Sequence, residues 1–296
     1  MNKPLLFTLI FFSITVARGQ SCNCDVTLTG LSSTSLNLVW ASQINYSPGD
    51  TICILSGNYG EIRFYDFQGT ESAPLTIINC GGPVTINGTA YYAGIDFRNS
   101  KHIRFTGSGD ANTTYGFHIE SYTGINLSAF STDIEIDHVE VSNTDYASLI
   151  AKTDPDCNDP NTWRSSGFIM KNLDIHDNYF HDSYSEGIYM GHPSGYELQT
   201  SKTCNGNPVF AHWLEDVDIH DNRIENIGRE AIQLHLIRSN GKIRDNQIIN
   251  YGYRGNWGQS WSMNLFGGTY EVFNNSVING IEEKGWGIQL ISGQSG

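Results

Sequence analysis

Apolar and polar residues alternate in short runs along most of this chain, and the runs recur. The segment Asn172 to Gly191, NLDIHDNYFHDSYSEGIYMG, returns as Asp216 to His235, DVDIHDNRIENIGREAIQLH. Both copies read Ile-His-Asp-Asn (Ile175 to Asn178, Ile219 to Asn222), cross a short alternating stretch and reach a small residue followed by Ile, at Gly187-Ile188 and Ala231-Ile232. Looser copies keep the phase at Ile243-Arg-Asp-Asn246 and Val272-Phe-Asn-Asn275, and an earlier one, Ile136-Asp-His-Val139, carries Val in place of Asn. Period-two runs of four or five residues predict strands, and self-similarity at this spacing predicts a solenoid.

The spacings set the size of one coil. Asn222 and Asn246 are 24 residues apart, while Val139 to Asn178 is 39, Asn178 to Asn222 is 44 and Asn246 to Asn275 is 29. The shortest spacing is the bare coil and the excess is insertion. Within it RIEN, AIQLH and KIRD alternate, which makes three short strands and three turns. The recurring Asn suits a tight turn that visits left-handed backbone space, with a side-chain amide able to bond to the copy above.

These coils resemble the right-handed parallel β-helix proteins of the pectate-lyase-like superfamily, over roughly residues 50 to 291. The resemblance implies an all-β fold, a single right-handed parallel β-helix, and a secreted, carbohydrate-active protein. Asn143-Thr-Asp145 matches the first tripeptide of polygalacturonases, but no later Asp-Asp, Gly-His-Gly or Arg-Ile-Lys follows. The Trp-Ile-Asp-His and Arg-x-Pro-x-x-Arg signatures of pectate lyases are also absent.

Aligning the coils predicts one column of strands at residues 61–66, 94–98, 116–120, 148–152, 187–191, 231–235, 262–266 and 287–291. Alternation turns Ile95, Phe97, Phe117, Ile119, Leu149, Ala151, Ile188, Met190, Ile232 and Leu234 inward. The outward set is Arg63, Tyr65, Asp96, Arg98, His118, Glu120, Ile150, Lys152, Tyr189, Gln233, His235, Asn264 and Gln289. The insertions Thr153 to Ser166 and His192 to Leu214 directly follow this column, and the turn at 251–261 directly precedes it. Loops on both sides wall the face into a groove, and such loops are where ligand sites form.

Chemistry is therefore expected on that face. Asp96, Arg98, His118, Glu120, Lys152 and Tyr189 are expected to crowd three rungs, about 15 Å. A polysaccharide lyase needs a base, for which Lys152, His118 or Tyr189 serves, and a cation to neutralise a uronate carboxylate, for which Arg98 serves. A glycosidase needs two carboxyls; Asp96 and Glu120, one rung apart, are expected at roughly 8 Å, in the inverting range. Gln233, His235, Gln289, Trp257 and Trp261 are the expected substrate-binding residues. His176 and His220 are explained by stacking at identical repeat positions, so no metal ligand is assigned. A non-catalytic glycan-binding or adhesin β-helix is the remaining alternative.

Charge and cysteines narrow the setting. The formal net charge of −14 argues against nucleic acid and against unaided binding of a polyanion, so Ca²⁺ is a possible mediator for an acidic polysaccharide. Met1-Asn-Lys3-Pro, the apolar run Leu5 to Val16 and the exit Ala17 to Gln20 read as a secretory signal peptide over residues 1–20, too short to span a bilayer. In an exported chain the six cysteines favour disulfides. Cys157 and Cys204 lie in the two long insertions at the same phase and are expected to pair; Cys22, Cys24, Cys53 and Cys80 form two bridges of open connectivity. Residues 21–48 lack the repeat and are expected to cap the first coil through Leu36, Leu38 and Trp40. Residues 49–296 form the β-helix, expected as a monomer that breaks off mid-coil and continues in a longer chain.

Overall fold

The computed structural model describes residues 22–88, 92–193, 200–278 and 285–291; residues 1–20, expected from the sequence as a signal peptide, and the last residues, 292–296, lie outside them. The architecture is the expected all-β parallel β-helix. Three columns of strands run in parallel register from coil to coil. The groove column stacks Asn37–Trp40, Ile62–Tyr65, Ala93–Arg98, Thr123–Ser128, Leu149–Ala151, Ile188–Met190 and then the leading parts of Ile232–Arg244, Trp261–Phe273 and Trp286–Ile291. Helical structure among the described residues is confined to three short 3₁₀ turns, and no helix is long and apolar enough to cross a membrane.

The core follows from alternation. Ile175, Ile219 and Ile243 pair in register and are fully buried. In the N-terminal half the filling is aromatic, with Phe64 stacked on Phe97 at 5.0 Å and Phe105 against Phe117 at 4.3 Å. Leu and Ile replace them towards the C-terminus. Each such side chain contributes about 1.5–3 kcal/mol by leaving water.

The recurring Asn does one of its two expected jobs. Asn178, Asn222, Asn246 and Asn275 form a ladder, buried at the first three, in which each backbone N–H donates to the side-chain oxygen of the next, at 3.1, 3.1 and 3.0 Å. Each amide nitrogen also donates to a carbonyl in the coil before, Asn178 to Ile136 and Asn222 to Ile175. The N–H of Val139 takes its place at the head, donating to Asn178. The left-handed residue, however, is the one before: His138, Asp177, Asp221, Asp245 and Asn274, all with φ between 52° and 57°. Two further left-handed columns of Asn and Asp (143, 182, 226, 250 and 133, 172, 216, 240) mark the other turns.

The residues expected to cap are instead part of the solenoid. Val26–Leu28 pairs with Thr51–Tyr59, and Asn37–Trp40 with Ile62–Tyr65. Leu28 and Val39 point inward, while Leu36, Leu38 and Trp40 are exposed, the reverse of the covering role expected for them. Cys22–Cys80 and Cys24–Cys53 tie this coil to the next two, and Cys157–Cys204 joins the two insertions with Cα atoms 5.2 Å apart, as expected.

His176 and His220 stack face to face at 4.8 Å, and carboxylates surround them closely enough to resemble metal sites. Both ring nitrogens of each are already engaged: His176 with Asp177 and Glu135, His220 with Asp221 and Asp174. The hydrogen bond to Glu135 is the main reason the His176 pKa rises from 6.5 to about 9, outweighing burial, so this imidazole is a cation at neutral pH and a poor ligand. Because the folded-state pKa is raised, the stabilisation is full below about pH 6.5 and is lost as pH climbs through about 9. Thermal unfolding between these pH values should show a loss of at most about 3 kcal/mol that His176→Gln largely removes. Equal pH slopes for the two proteins count against the assignment.

Candidate active-site groove

Strand register decides which outward side chains share a surface. Tyr65, Arg98 and Ser128 occupy one line of the groove column, with Lys152 continuing it just past Leu149–Ala151; Arg63, Asp96, Asn126, Ile150, Tyr189, Gln233 and Asn264 occupy the line beside it. The strand at 116–120, expected between these, belongs to another face. Phe117–Glu120 pairs with residues 84–87 and with Val139–Ser142, and Thr123–Ser128 fills the groove instead.

His118 and Glu120 therefore leave the candidate site. His118 Nδ1 lies 2.7 Å from Glu140, and Glu120 accepts from Ser142 and Asn143. The Asp96 and Glu120 pair expected for an inverting glycosidase does not exist. Asp96 is 1% exposed, ion-paired at 2.8 Å to both Arg63 and Arg98, and accepts hydrogen bonds from Asn126 and Ser128. Enclosed by those donors, it fixes Arg98 and Asn126 rather than reaching a ligand.

A cleft of about 570 Å³ opens above this floor. Arg98, Asn126, Ser128 and Lys152 line its base; Tyr92 and Tyr146 flank one side, and Phe130 with residues 153–162 of the first insertion forms the other. The wall is held by the Cys157–Cys204 bridge and by Trp163, whose indole donates to the Asp156 carbonyl. Gly191, at φ 77°, ends a groove strand where a Cβ would meet the His235 carbonyl at 2.1 Å, so the left-handed turn and close approach both require glycine.

Lys152 Nζ sits 3.0 Å from Asp154 and 4.9 Å from the ring centre of Tyr189. Tyr189 is 4% exposed, and burial pushes its phenol far above the ordinary tyrosine range, so it supports Lys152 from below and cannot act as the base. Tyr146 packs edge-on to Tyr189 and reaches the cleft; burial, then the charge of Glu186, raises its pKa to about 12, and it keeps its proton at neutral pH. Tyr146 was not among the expected residues. Its signal was a tyrosine in the same turn of consecutive coils, since Thr123 bonds back to the Tyr92 carbonyl and Tyr146 to that of Tyr122.

No protein-family model and no curated protein matches the chain. Among solved structures, the crystal structure of alginate lyase from Paenibacillus sp. str. FPU-7 aligns over 87% of this chain and 99% of its own, at 14% identity and a TM-score of 0.43. That likeness is too loose to carry a functional or residue-level argument.

The expected substrate-binding residues divide. Gln233 and His235 are 8% and 2% exposed and lie beneath the surface; burial drives the His235 pKa down to about 3, so it is neutral. Trp261 is partly buried, edge-to-face with Trp286 at 4.6 Å. Gln289 pairs in register with Asn264 at the far end of the column. Trp257 alone of this group projects freely, at 92% exposure. Below the floor Glu186 meets Arg229 at 3.3 Å, and Glu230, fully enclosed, is raised to about 7 chiefly by burial.

Proposed function

We propose that this protein is a secreted polysaccharide lyase that cleaves a uronate-containing chain by β-elimination in the groove. The observation that carries the reading is the convergence of Arg98, Asn126, Lys152 and Tyr146 on one open cleft in a chain of net charge −14. Cations are scarce here, and two of them meet where a chain of sugars can lie. Three disulfides support export to an oxidising compartment.

The roles follow from the chemistry. Arg98, aimed by its ion pair with Asp96, neutralises the uronate carboxylate and so acidifies the C5 proton. The Asn126 amide, oriented by the same Asp96, shares that work. Lys152 in its free-amine form takes the C5 proton; the C4–O4 bond breaks as the C4–C5 double bond forms, and the Tyr146 phenol protonates the departing oxygen. A hydrolase reading rests on the carboxylates of the insertion wall, Asp154, Asp156 and Asp159, and differs in its product.

The test is incubation of the purified protein with a panel of polyuronates, following ultraviolet absorbance of the new double bond. Activity on at least one, absent from Arg98→Ala, is expected. A panel with no absorbance change, alongside measurable binding, favours the non-catalytic glycan-binding reading.

A further inference from the structure

Beside Tyr189 and in the two coils after it, a second polar cluster is present that the proposed reaction does not use. Glu186 and Glu230 occupy one turn position in successive coils, with the Gly187 and Ile188 N–H groups donating to the Glu230 and Ala231 carbonyls at 3.0 and 2.9 Å. Rungs lie about 4.8 Å apart, so the two carboxylates are neighbours. Gln233 and Asn264 are register partners in the adjoining coils. All four are enclosed, at 2%, 0%, 8% and 3% exposure.

Their hydrogen bonds leave a consistent remainder. Asn264 Nδ2 donates to Glu230 Oε1 at 3.1 Å, which brings its amide to that carboxylate. The Gln233 amide nitrogen is committed to His235 Nε2 at 2.6 Å, so its oxygen faces the other way. Glu186 Oε2, Glu230 Oε2, Gln233 Oε1 and Asn264 Oδ1 then have no donor among the described residues. Each orphaned buried acceptor costs about 1–3 kcal/mol, and a charged one more. Arg229 pairs with Glu186 at 3.3 Å, while Glu230 feels the same guanidinium only from beyond ion-pair distance.

We propose that these four oxygens bind a hard divalent cation of calcium's size. Two carboxylates and two amide carbonyls are the donors such an ion takes, and they offer a soft metal nothing. Because the oxygens are closed off from the groove, the ion braces the floor and does not touch sugar. It would hold Gln233, the register partner of Tyr189, and through Tyr189 the seat of Lys152. The proposal is independent of the lyase reading, since it concerns binding and stability alone.

The experiment uses the full chain stripped with a chelator, with Ca²⁺ titrated calorimetrically and Tb³⁺ by luminescence sensitised through nearby Trp261 and Tyr189. One equivalent should bind, the thermal midpoint should rise on Ca²⁺ addition, and Mg²⁺, which sheds water reluctantly, should bind at least about ten-fold more weakly. Glu230→Gln should weaken Ca²⁺ at least about a hundred-fold and abolish the thermal response. Asp177→Asn, an exposed carboxylate on another face, should leave both unchanged. Folding of Glu230→Gln is checked by circular dichroism, and the wild-type titration stands without it. Wild-type protein that takes up neither ion at millimolar concentration overturns the site, as does a Glu230→Gln variant that binds as tightly.

Discussion

Asn222→Ala is expected to destabilise the protein by about 3–5 kcal/mol, read as a shift of the urea midpoint at unchanged slope. The Asn222 side chain donates to the Ile175 carbonyl at 2.7 Å and to Asn246 Oδ1 at 3.0 Å, and accepts from the Asn178 N–H at 3.1 Å. Alanine fills none of these positions. A backbone donor and a backbone acceptor are stranded where Asn222 is 1% exposed and water cannot replace the amide. Asn275→Ala, at the more open end of the same ladder, should cost only about 1–2 kcal/mol. Equal effects at the two positions would show that the ladder is not what matters.

Lys152→Ala is expected to lower kcat by about a thousand-fold or more while shifting stability by less than about 1 kcal/mol. Lys152 lies at the cleft base over Tyr189 and is not needed to fill the apolar core, so its loss removes proton transfer and one ion pair with Asp154 and leaves the coil intact. Tyr146→Phe is expected to retain binding and lose about a hundred-fold or more in kcat, because the ring still packs on Tyr189 and only the proton donor goes. A Lys152→Ala variant with wild-type turnover would move the chemistry out of this cleft.

Much of the fold was legible because its determinants are local and repeated. Alternation marks the inward side chains, and Ile175, Ile219 and Ile243 stack as their phase requires. The Cys157 and Cys204 pairing was legible for the same reason, since equal phase in consecutive coils means proximity. The error at His118 and Glu120 has an equally physical source. Alternation says which side chains leave a coil but carries no label for which of three faces a strand belongs to. GFHIE follows a loop at 107–116 and joins the column of residues 57–59 and 84–87, whereas the groove strand of that coil is Thr123–Ser128, whose Asn126 and Ser128 are polar but uncharged. Gly116 before Phe117 carries the same small-residue mark as Gly187 before Ile188, and so does Gly124 before Ile125, so that mark does not separate the two strands.

Burial was the other illegible quantity. Asp96, Tyr189, Gln233 and His235 all point out of the coil, yet loops and neighbouring side chains cover them. Outward and exposed are separate properties once insertions wall a face. This separates Arg98 and Lys152, which reach the cleft, from Asp96 and Tyr189, which hold them.

Elimination at a uronate in this cleft is tested most directly by the mass of the products. Products from a cleaved polyuronate are predicted to carry non-reducing ends lighter by one water than hydrolytic ends, with none formed by Lys152→Ala. Products that have instead gained a water, or unsaturated products still formed at full rate by Lys152→Ala, would contradict it.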